Sequence, residues 1–531
     1  MKKYELYQHT KLATIKEMLS YCVDKHGISI AFTYQNKKTN VMINYVQFKE
    51  DVDALGTYLF ENGFKDCHIA VFGENSYEWI LSHFAITCGR NVVVPIDKDL
   101  EAEEISYLLK DSECEAIFFS NTYADIVEDL QKANLENITY FNMLDVPKMI
   151  EQGKLSVEKG NTEYLDVAIE GNDLASIVYT SGTTGRSKGV ILTHNNFCAD
   201  VYGACCNVKI SGRTVLILPL HHSFGLVASV YAPMFYGVPI YINKSMKKLL
   251  NDFKKCKPEH LFAVPLIAET MYKNIWSAAK KQGKDKHLKL LVKISNGLRK
   301  CGIDLRKILF KSVISAFGGN LNLIVCGGAP LSVELIKGFD SLGITMLNGY
   351  GITECSPIVA VNRNKSNIVG SVGLPLCCNQ VKISEEGEVL VKGENVMAGY
   401  YHNEEENKKV FVEGWFKTGD IGSIDEYGAL HIKNLIILPN GENVAAEELE
   451  EKIHGIPYVK EVVVYEKDNM IAAEIYLDEE YSEGKNKINV DIQTINRELP
   501  LIKNIGKVII RDAEFPKTTT KKIKRSYKKV D

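Results

Sequence analysis

A loop rich in glycine and hydroxyl residues, set between two apolar runs, constrains this chain more than any other feature. Residues 177–194 read IVYTSGTTGRSKGVILTH. The flanking runs Ile177–Tyr179 and Val190–Leu192 are apolar and mostly β-branched, which predicts two buried strands. Glycines let a backbone approach an anion closely, while hydroxyls and N–H groups donate hydrogen bonds to phosphate oxygens. We therefore predict a polyphosphate-binding loop with contacts from Thr180, Ser181, Gly182, Thr183, Thr184, Gly185 and Lys188.

The order of residues in this loop differs from that of the Walker P-loop. Counted from Gly182, the Walker pattern requires glycine at position 187 and serine or threonine at position 189, where the chain has Ser187 and Gly189. A polar hairpin loop without a ligand is the alternative interpretation of such a composition. The whole string resembles the phosphate loop of the adenylate-forming enzymes, which include acyl-CoA synthetases, adenylation domains and luciferases. That resemblance implies that the chain binds ATP.

The bulk composition is typical of a globular protein without a polyanionic partner. The 531 residues suffice for about three or four folding lobes, and 45% of them are hydrophobic. The net charge of −4 is small for this length, so no nucleic-acid partner is expected. The 13 cysteines show no CxxC spacing, and the N-terminal residues lack the apolar core of a signal peptide. We expect a reducing compartment and a cytoplasmic location.

The early part of the chain alternates between strand and helix patterns. This alternation predicts an α/β fold with a parallel sheet covered by helices on both faces. Residues 121–170 carry little periodicity and no motif. The predicted strands are Ile30–Tyr34, His68–Phe72, Asn91–Ile96 and Ala116–Phe119, and the predicted helices are Tyr45–Asn62, Asn75–Cys88 and Glu101–Lys110.

One segment is apolar enough to suggest a membrane span. From Thr214 to Asn243 the chain has no aspartate, glutamate, lysine or arginine, and it would carry a charge only if one of its two histidines were protonated. Proline and glycine interrupt the segment repeatedly, which favours a strand, a loop, a helix and a second strand inside a globular core. We predict no transmembrane span, while a peripheral contact with a membrane stays open.

Three features bear on the acid substrate. His222, in LPLHHSFGL, matches a residue that lines the acyl pocket in the adenylate-forming enzymes, although a lone histidine in such a setting is more often part of a core. The loop has no acidic residue, which disfavours amino acids because a buried ammonium without a counter-charge is costly. Residues 271–312 resemble an insertion of long-chain fatty acyl-CoA synthetases, the alternative being a solvated pair of amphipathic helices. A medium-to-long fatty acid is the expected substrate.

Further strings resemble the nucleotide site of the same family. Small residues Gly328 and Ala329 after a predicted strand would let adenine lie against the backbone. In the YGITE string, the resemblance implies that Tyr350 and Gly351 contact the base, that Thr353 contacts phosphate and that Glu354 binds Mg²⁺. It also implies that Asp420 holds the ribose hydroxyls and that Lys522 reaches the α-phosphate.

The resemblance extends over nearly the whole chain and implies its domain organisation. We expect an N-terminal body, residues 1–432, made of two stacked α/β lobes and a distorted β-barrel, and a small mobile α+β cap, residues 433–531.

The sequence departs from the pattern of the family in two places. A Gly-Arg turn that precedes Lys433 in the family is missing, and Lys521 replaces a glycine before the terminal lysine. A lysine at a φ > 0 position would cost roughly 1 kcal/mol or more.

The implied reaction has two steps. A carboxylate attacks the α-phosphate of ATP and yields an acyl-adenylate and pyrophosphate, and a thiol then displaces AMP. CoA is the expected thiol, with the phosphopantetheine arm of a carrier protein as the alternative. A degenerate family member that binds nucleotide or acyl chain with little turnover, and a nucleic-acid binder that uses the basic residues 501–531, are the remaining alternatives. Acyl chain length, oligomeric state and pathway are left open.

Overall fold

The chain divides into two units in the computed structural model. One comprises Met1–Val381 and Val391–Phe416, and the other comprises Lys382–Leu390 and Lys417–Asp531. The predicted boundary between residues 432 and 433 stays a prediction. The structure describes residues 5–37, 39–132, 138–180, 187–433, 435–437, 443–467, 470–478, 484–500, 503–517 and 523.

A seven-stranded sheet forms the first lobe of the larger unit. Its central strands run parallel, as the alternating sequence pattern predicts, while the last two pairs at one edge are antiparallel. The central strand Val92–Ile96 is buried along its whole length and His68–Phe72 is buried after its first residue, which is typical of a parallel sheet covered on both faces. In spatial order the strands are Gly399–Tyr400, Lys188–Thr193, Leu174–Thr180, Val92–Ile96, His68–Phe72, Cys114–Phe119 and Thr139–Asn142.

Several helices of this lobe begin at a residue whose side chain caps the first turn. Asn44 accepts a hydrogen bond from the backbone N–H of Gln47, and Ser76 does the same for Trp79. A reciprocal pair of such bonds joins Thr193 and Asn196. The helices are Ile15–His26, Tyr45–Glu61, Tyr77–Thr87, Ala102–Asp111, Ala124–Lys132, Val146–Glu158, Glu163–Asp166 and His194–Asn207.

Two smaller sheets build the second lobe of the same unit. The four-stranded sheet has the order Thr39–Asn44, Ile30–Asn36, Ile240–Ile242, Thr214–Leu216. The five-stranded sheet has the order His260–Ala263, Leu323–Cys326, Thr345–Gly351, Ile358–Val361, Leu374–Pro375, and its first three strands are parallel. Helical segments accompany them at Ser223–Leu226, Val227–Tyr231, Ala232–Tyr236, Leu249–Cys256, Pro265–Lys281, Asp285–Lys300, Arg306–Leu309, Lys311–Ala316 and Val333–Ser341.

The apolar segment from Thr214 to Asn243 folds as predicted, into a strand, a helical stretch and a strand. Its helical stretch is broken into α, π and α turns, and the π turn Val227–Tyr231 is buried. Within the described part of the chain, every helix is too short or too polar to span a bilayer.

The smaller unit has its own core and a three-stranded sheet. Strands Val459–Lys467, Met470–Leu477 and Ile505–Arg511 form the sheet, and helices Ala446–His454 and Gly484–Arg497 contribute Leu449 and Ile488 to its core. The predicted mixed α/β class, with a large body and a small C-terminal domain, is confirmed, whereas the barrel and the mobility of the cap stay predictions.

The remaining elements are the strands Asn379–Ile383, Glu388–Gly393, Phe411–Val412, Trp415–Ile424, Leu430–Lys433, Leu435–Ile437 and Asn443–Ala445 and the helix Glu404–Val410.

Candidate functional site

The predicted phosphate loop joins two adjacent antiparallel strands. Thr180 lies opposite Lys188 in the pairing of Leu174–Thr180 with Lys188–Thr193, so both residues stand at the base of the loop. Only a glycine fits easily at position 189, because a Cβ there would lie 2.8 Å from Cγ2 of Ile177. The predicted contacts Ser181, Gly182, Thr183, Thr184 and Gly185 lie outside the described residues.

Lys188 makes two electrostatic contacts beside this loop. Its Nζ lies 2.5 Å from Oε1 of Glu406 and 5.2 Å from the centroid of the Tyr400 ring. The hydrogen bond from Lys188 lowers the pKa of the Glu406 carboxyl. The lysine head is therefore held between an acid and an aromatic face, at a position from which it borders the phosphate loop.

Glu354, the predicted Mg²⁺ ligand, is joined to the same group of residues. The hydroxyl of Tyr400 donates a hydrogen bond to Oε1 of Glu354 over 2.8 Å. Burial, and then the charge of Glu354, raises the pKa of Tyr400, so its hydroxyl keeps the proton that it donates. Oε2 of Glu354 forms no hydrogen bond with any described residue. A half-buried carboxylate with one oxygen fixed and one available suits Mg²⁺, which binds through one or two carboxylates together with phosphates and water.

A buried polar cluster fixes the turn that carries Glu354. Asn395 donates hydrogen bonds to Oδ1 of Asp200 at 3.1 Å, to the Cys355 carbonyl at 3.0 Å and to the Ile358 carbonyl at 2.8 Å. The backbone N–H of Ile358 also donates to Asp200, at 3.1 Å. Burial raises the pKa of Asp200 well above its ordinary value, which favours the protonated form of the carboxyl. Thr353 lies in the same turn, Thr353–Cys355.

The predicted adenine contacts lie where two neighbouring strands end. Gly328 and Ala329 follow the strand Leu323–Cys326, and Tyr350 and Gly351 end the adjacent parallel strand Thr345–Gly351. Gly328 has φ +84°, and a Cβ at Gly351 would lie 2.0 Å from the Pro357 carbonyl oxygen, so both positions require glycine. The carboxyl ends of parallel strands are where ligands bind in open α/β sheets.

An apolar cavity borders these residues. Its empty space is about 690 Å³, a figure that includes its opening to solvent. None of its lining residues carries a charge, so it suits a hydrocarbon chain better than an amino acid. The lining comprises Ala204, Cys205, Val208, Ile210, Phe224, Ala228, Ala232, Tyr236, Phe262, Val325, Cys326, Gly327, Gly328, Gly349, Tyr350, Gly351, Pro357, Ile358 and Val361.

His222 packs with a second histidine near a carboxylate. The rings of His221 and His222 lie 4.3 Å apart between centroids, and Nε2 of His221 lies 3.4 Å from Oδ1 of Asp97. Burial lowers the pKa of His222 to about 3, so its imidazole is neutral at pH 7. Phe224, two residues further along, lines the cavity instead of His222. The assignment of His222 to an acyl pocket stays a prediction.

Two predicted nucleotide contacts belong to the smaller unit. Asp420 lies on the strand Trp415–Ile424, where its backbone N–H donates to Oγ1 of Thr418 at 3.1 Å. Gly419 before it has φ +74° and donates to the Glu388 carboxylate at 2.9 Å. Lys522 and Lys521 lie outside the described residues. The roles of Asp420 and Lys522 stay predictions.

Sequence reasoning missed two residues of this site. Tyr400 and Glu406 contact Lys188 although they lie more than 200 residues further along the chain. The only local signal for Tyr400 is an aromatic pair in the string GENVMAGYYHN, which indicates nothing about its partner. Pairing of Gly399–Tyr400 with the strand of Lys188 brings them together.

Comparison with solved structures defines the class of fold. The chain resembles the O-succinylbenzoate coenzyme A synthetase of Bacillus subtilis, solved in complex with AMP, with a TM-score of 0.73. The sequences are 20% identical, and the match covers 97% of each chain. The protein therefore has the fold of the CoA synthetases.

Sequence comparison gives the family. The model of the AMP-binding enzyme family matches residues 20–401, and the chain belongs to that family. A long-chain fatty acid–CoA ligase of Mycobacterium bovis is 31% identical over 451 residues, which cover 79% of this chain and 74% of the relative. A chloroplastic long-chain fatty acid–[acyl-carrier-protein] ligase of Arabidopsis thaliana is 27% identical over 84% of this chain and 73% of the relative. Together these matches support adenylate-forming acid ligase activity.

Proposed function

We propose that the protein activates a medium-to-long fatty acid with ATP and transfers the acyl group to the thiol of CoA. The first step forms an acyl-adenylate and releases pyrophosphate, and the second forms a thioester and releases AMP. The observation that carries the proposal is the uncharged cavity, because its lining includes the predicted adenine contacts Gly328, Tyr350 and Gly351. A chain in the cavity would place its carboxylate beside the nucleotide.

The chemistry requires little acid–base catalysis. A fatty acid is already ionised at pH 7, so the attack on the α-phosphate needs no general base. It needs neutralisation of the charge on the triphosphate. We assign that role to Lys188, to Mg²⁺ held by Glu354 and to Lys522, with Thr353 donating a hydrogen bond to phosphate. The ribose hydroxyls are assigned to Asp420, whose carboxylate can accept two hydrogen bonds.

An acyl-carrier protein is the second candidate for the acceptor. One relative is named as a ligase for such a carrier, and CoA and a carrier present the same phosphopantetheine thiol. A relative in structure is named for an aromatic acid, succinylbenzoate, so the acid also needs a direct test. Location in the cytoplasm stays a prediction.

A screen of pyrophosphate release tests the proposal. Purified protein with ATP and Mg²⁺ is given acetate, fatty acids of increasing length, succinylbenzoate and amino acids. Each buried CH₂ contributes roughly 0.8 kcal/mol, so kcat/KM should rise roughly fourfold per CH₂, or about fifteenfold per carbon pair, until the cavity is filled. Preference for acetate or an amino acid would contradict the substrate, while bound ATP without pyrophosphate release would identify a degenerate member. Parallel assays with CoA and with a carrier protein then identify the acceptor.

A further inference from the structure

A short part of the larger unit carries a charge opposite to that of the whole chain. Residues 271–312 contain ten lysines and two arginines against two aspartates, a net charge of +10 in a chain whose total is −4. These residues form the end of the helix Pro265–Lys281, the helix Asp285–Lys300, the short helix Arg306–Leu309 and the beginning of Lys311–Ala316. Such a concentration of one sign attracts a polyanionic surface.

The two arginines and the lysines of this segment behave differently. Arg299 pairs with Asp340 at 2.7 Å, and Arg306 pairs with Asp304 and Asp340 at 2.7 and 2.8 Å. None of the ten lysines forms a salt bridge with any residue that the structure describes. The arginines therefore fix the segment to its lobe, whereas the lysine ammonium groups are available to bind an anionic partner.

Apolar side chains are exposed among these lysines. Leu290 is 54% exposed and Ile294 is 47% exposed. They are four residues apart, so they lie on one face of the helix Asp285–Lys300, and exposed Lys286 and Lys293 share that face. The opposite side buries Leu288 and Ser295. Two more exposed apolar residues follow the helix, Ile303 at 48% and Ile308 at 73%.

We propose that the cationic face formed by Lys286, Lys289, Leu290, Lys293 and Ile294, together with the exposed Ile303 and Ile308 that follow it in the chain, docks onto an anionic lipid bilayer. Lysines near such a surface are attracted by its negative potential, and aliphatic side chains between them enter the boundary of the acyl region. Nucleic acid would use the lysines but would leave the four aliphatic side chains in water. The combination therefore favours a lipid surface.

The site of this face suits an enzyme whose substrate is a lipid. The helix Asp285–Lys300 packs against Pro265–Lys281, which follows the strand that contributes Phe262 to the cavity. The docking surface and the cavity thus belong to the same lobe, and a bilayer is a reservoir of apolar acids. Docking itself is independent of the proposed function, because it is measured without turnover.

Vesicle co-sedimentation of the full-length protein tests the proposal. We expect binding to vesicles of phosphatidylglycerol and phosphatidylcholine at low ionic strength, and weak binding to phosphatidylcholine alone. The triple variant Lys286→Gln/Lys289→Gln/Lys293→Gln should lose on the order of a hundredfold in partitioning, because each basic side chain contributes roughly fivefold. The variant Leu290→Gln/Ile294→Gln should lose roughly tenfold or more.

Matched variants in the other lobe serve as controls. Lys110→Gln/Lys148→Gln/Lys159→Gln removes the same charge from exposed lysines, and Leu144→Gln/Leu155→Gln alters apolar residues that are 69% and 49% exposed. Both should bind vesicles like the parent protein, and all four variants should keep its thermal unfolding midpoint. Equal losses in the control triple would overturn the proposal, as would unchanged binding of the Lys286 triple, which would point to the basic residues 501–531. Tighter binding to a single-stranded oligonucleotide than to anionic vesicles would also overturn it.

Discussion

The hydroxyl of Tyr400 donates a hydrogen bond to the carboxylate of Glu354, and the ring of the same tyrosine lies beside the ammonium of Lys188. One side chain thus connects the base of the glycine-rich loop with the predicted metal ligand. Its position follows from strand pairing, because Tyr400 lies opposite Val190, two residues beyond Lys188. In the proposed reaction, this tyrosine sets where the Mg²⁺ ligand and the lysine stand relative to one triphosphate.

Tyr400→Phe should weaken the response of the enzyme to Mg²⁺. The ring and its contact with Lys188 remain, while Glu354 loses a hydrogen bond to a charged group, which is worth about 1.5–3 kcal/mol. We expect kcat/KM to fall about tenfold or more, with a higher Mg²⁺ concentration at half-maximal rate. Tyr401→Phe is the matched control, because its hydroxyl donates to exposed Glu113 at 2.8 Å. Equal effects of the two variants would argue against a role for Tyr400 at the metal.

Filling the cavity should shorten the preferred acid. Ala228 lies in the π turn Val227–Tyr231 and lines the cavity, so a larger side chain there displaces substrate. Ala228→Phe should lower kcat/KM for long acids by roughly fourfold for each CH₂ excluded, at about 0.8 kcal/mol per group. Short acids that do not reach the residue provide the control within the same variant. A uniform loss at every chain length would place the acyl chain elsewhere.

Stability should fall as the pH is lowered from about 6.5. Burial lowers the pKa of His83 to about 3 and those of His194 and His260 to about 4. Below about pH 6.5 the unfolded chain therefore binds protons that the folded chain does not, and each histidine costs roughly 2 kcal/mol at pH 5. Urea unfolding midpoints measured between pH 7 and pH 5 should decrease, and His260→Asn should flatten the decrease. A midpoint that rises over this range would contradict the assignment.

Apolar periodicity predicted the strands and helices that have a regular apolar pattern. It did not predict a helix whose packing requires a glycine in its interior. The strand His68–Phe72 and the helix from Tyr45 follow their apolar patterns closely. The helix Val146–Glu158 was missed because Gly153 in its interior disfavours helix. In the structure that glycine permits close contact with another helix, since a Cβ there would lie 1.9 Å from the carbonyl oxygen of Ala54. The contact between the two helices therefore explains why a glycine stands at this position.

Local sequence motifs likewise predicted only some of the residues of the candidate site. Gly328, Tyr350 and Gly351 were predicted from local strings, and they meet at one cavity because their strands are neighbours. The ion pair of Lys188 with Glu406 joins residues that are 218 positions apart, and a single sequence carries no periodic signal for it. Sequence motifs and periodicity therefore do not predict the residues that support a site through contacts between distant parts of the chain.

Asp420→Ala should weaken ATP binding without unfolding the protein. The proposed loss is the charged acceptor for the ribose hydroxyls, worth about 1.5–3 kcal/mol, so the Kd should rise roughly ten- to a hundredfold. The hydrogen bond from Asp420 to Oγ1 of Thr418 uses the backbone N–H, which the substitution keeps. Calorimetric titration with ATP measures the change, and the thermal unfolding midpoint is the control. An unchanged Kd would refute the ribose role.

Lys522→Ala should separate the two half-reactions. If Lys522 reaches the α-phosphate only while the acid attacks, its loss slows adenylate formation by orders of magnitude, because a positioned charge in a dry site is worth several kcal/mol. Thioester formation from supplied acyl-adenylate should change much less. Single-turnover assays of each step measure the two rates, with Lys521→Ala as the neighbouring control. Equal loss in both steps would mean that the lysine stays at the site throughout, and loss only in Lys521→Ala would assign the role to that residue.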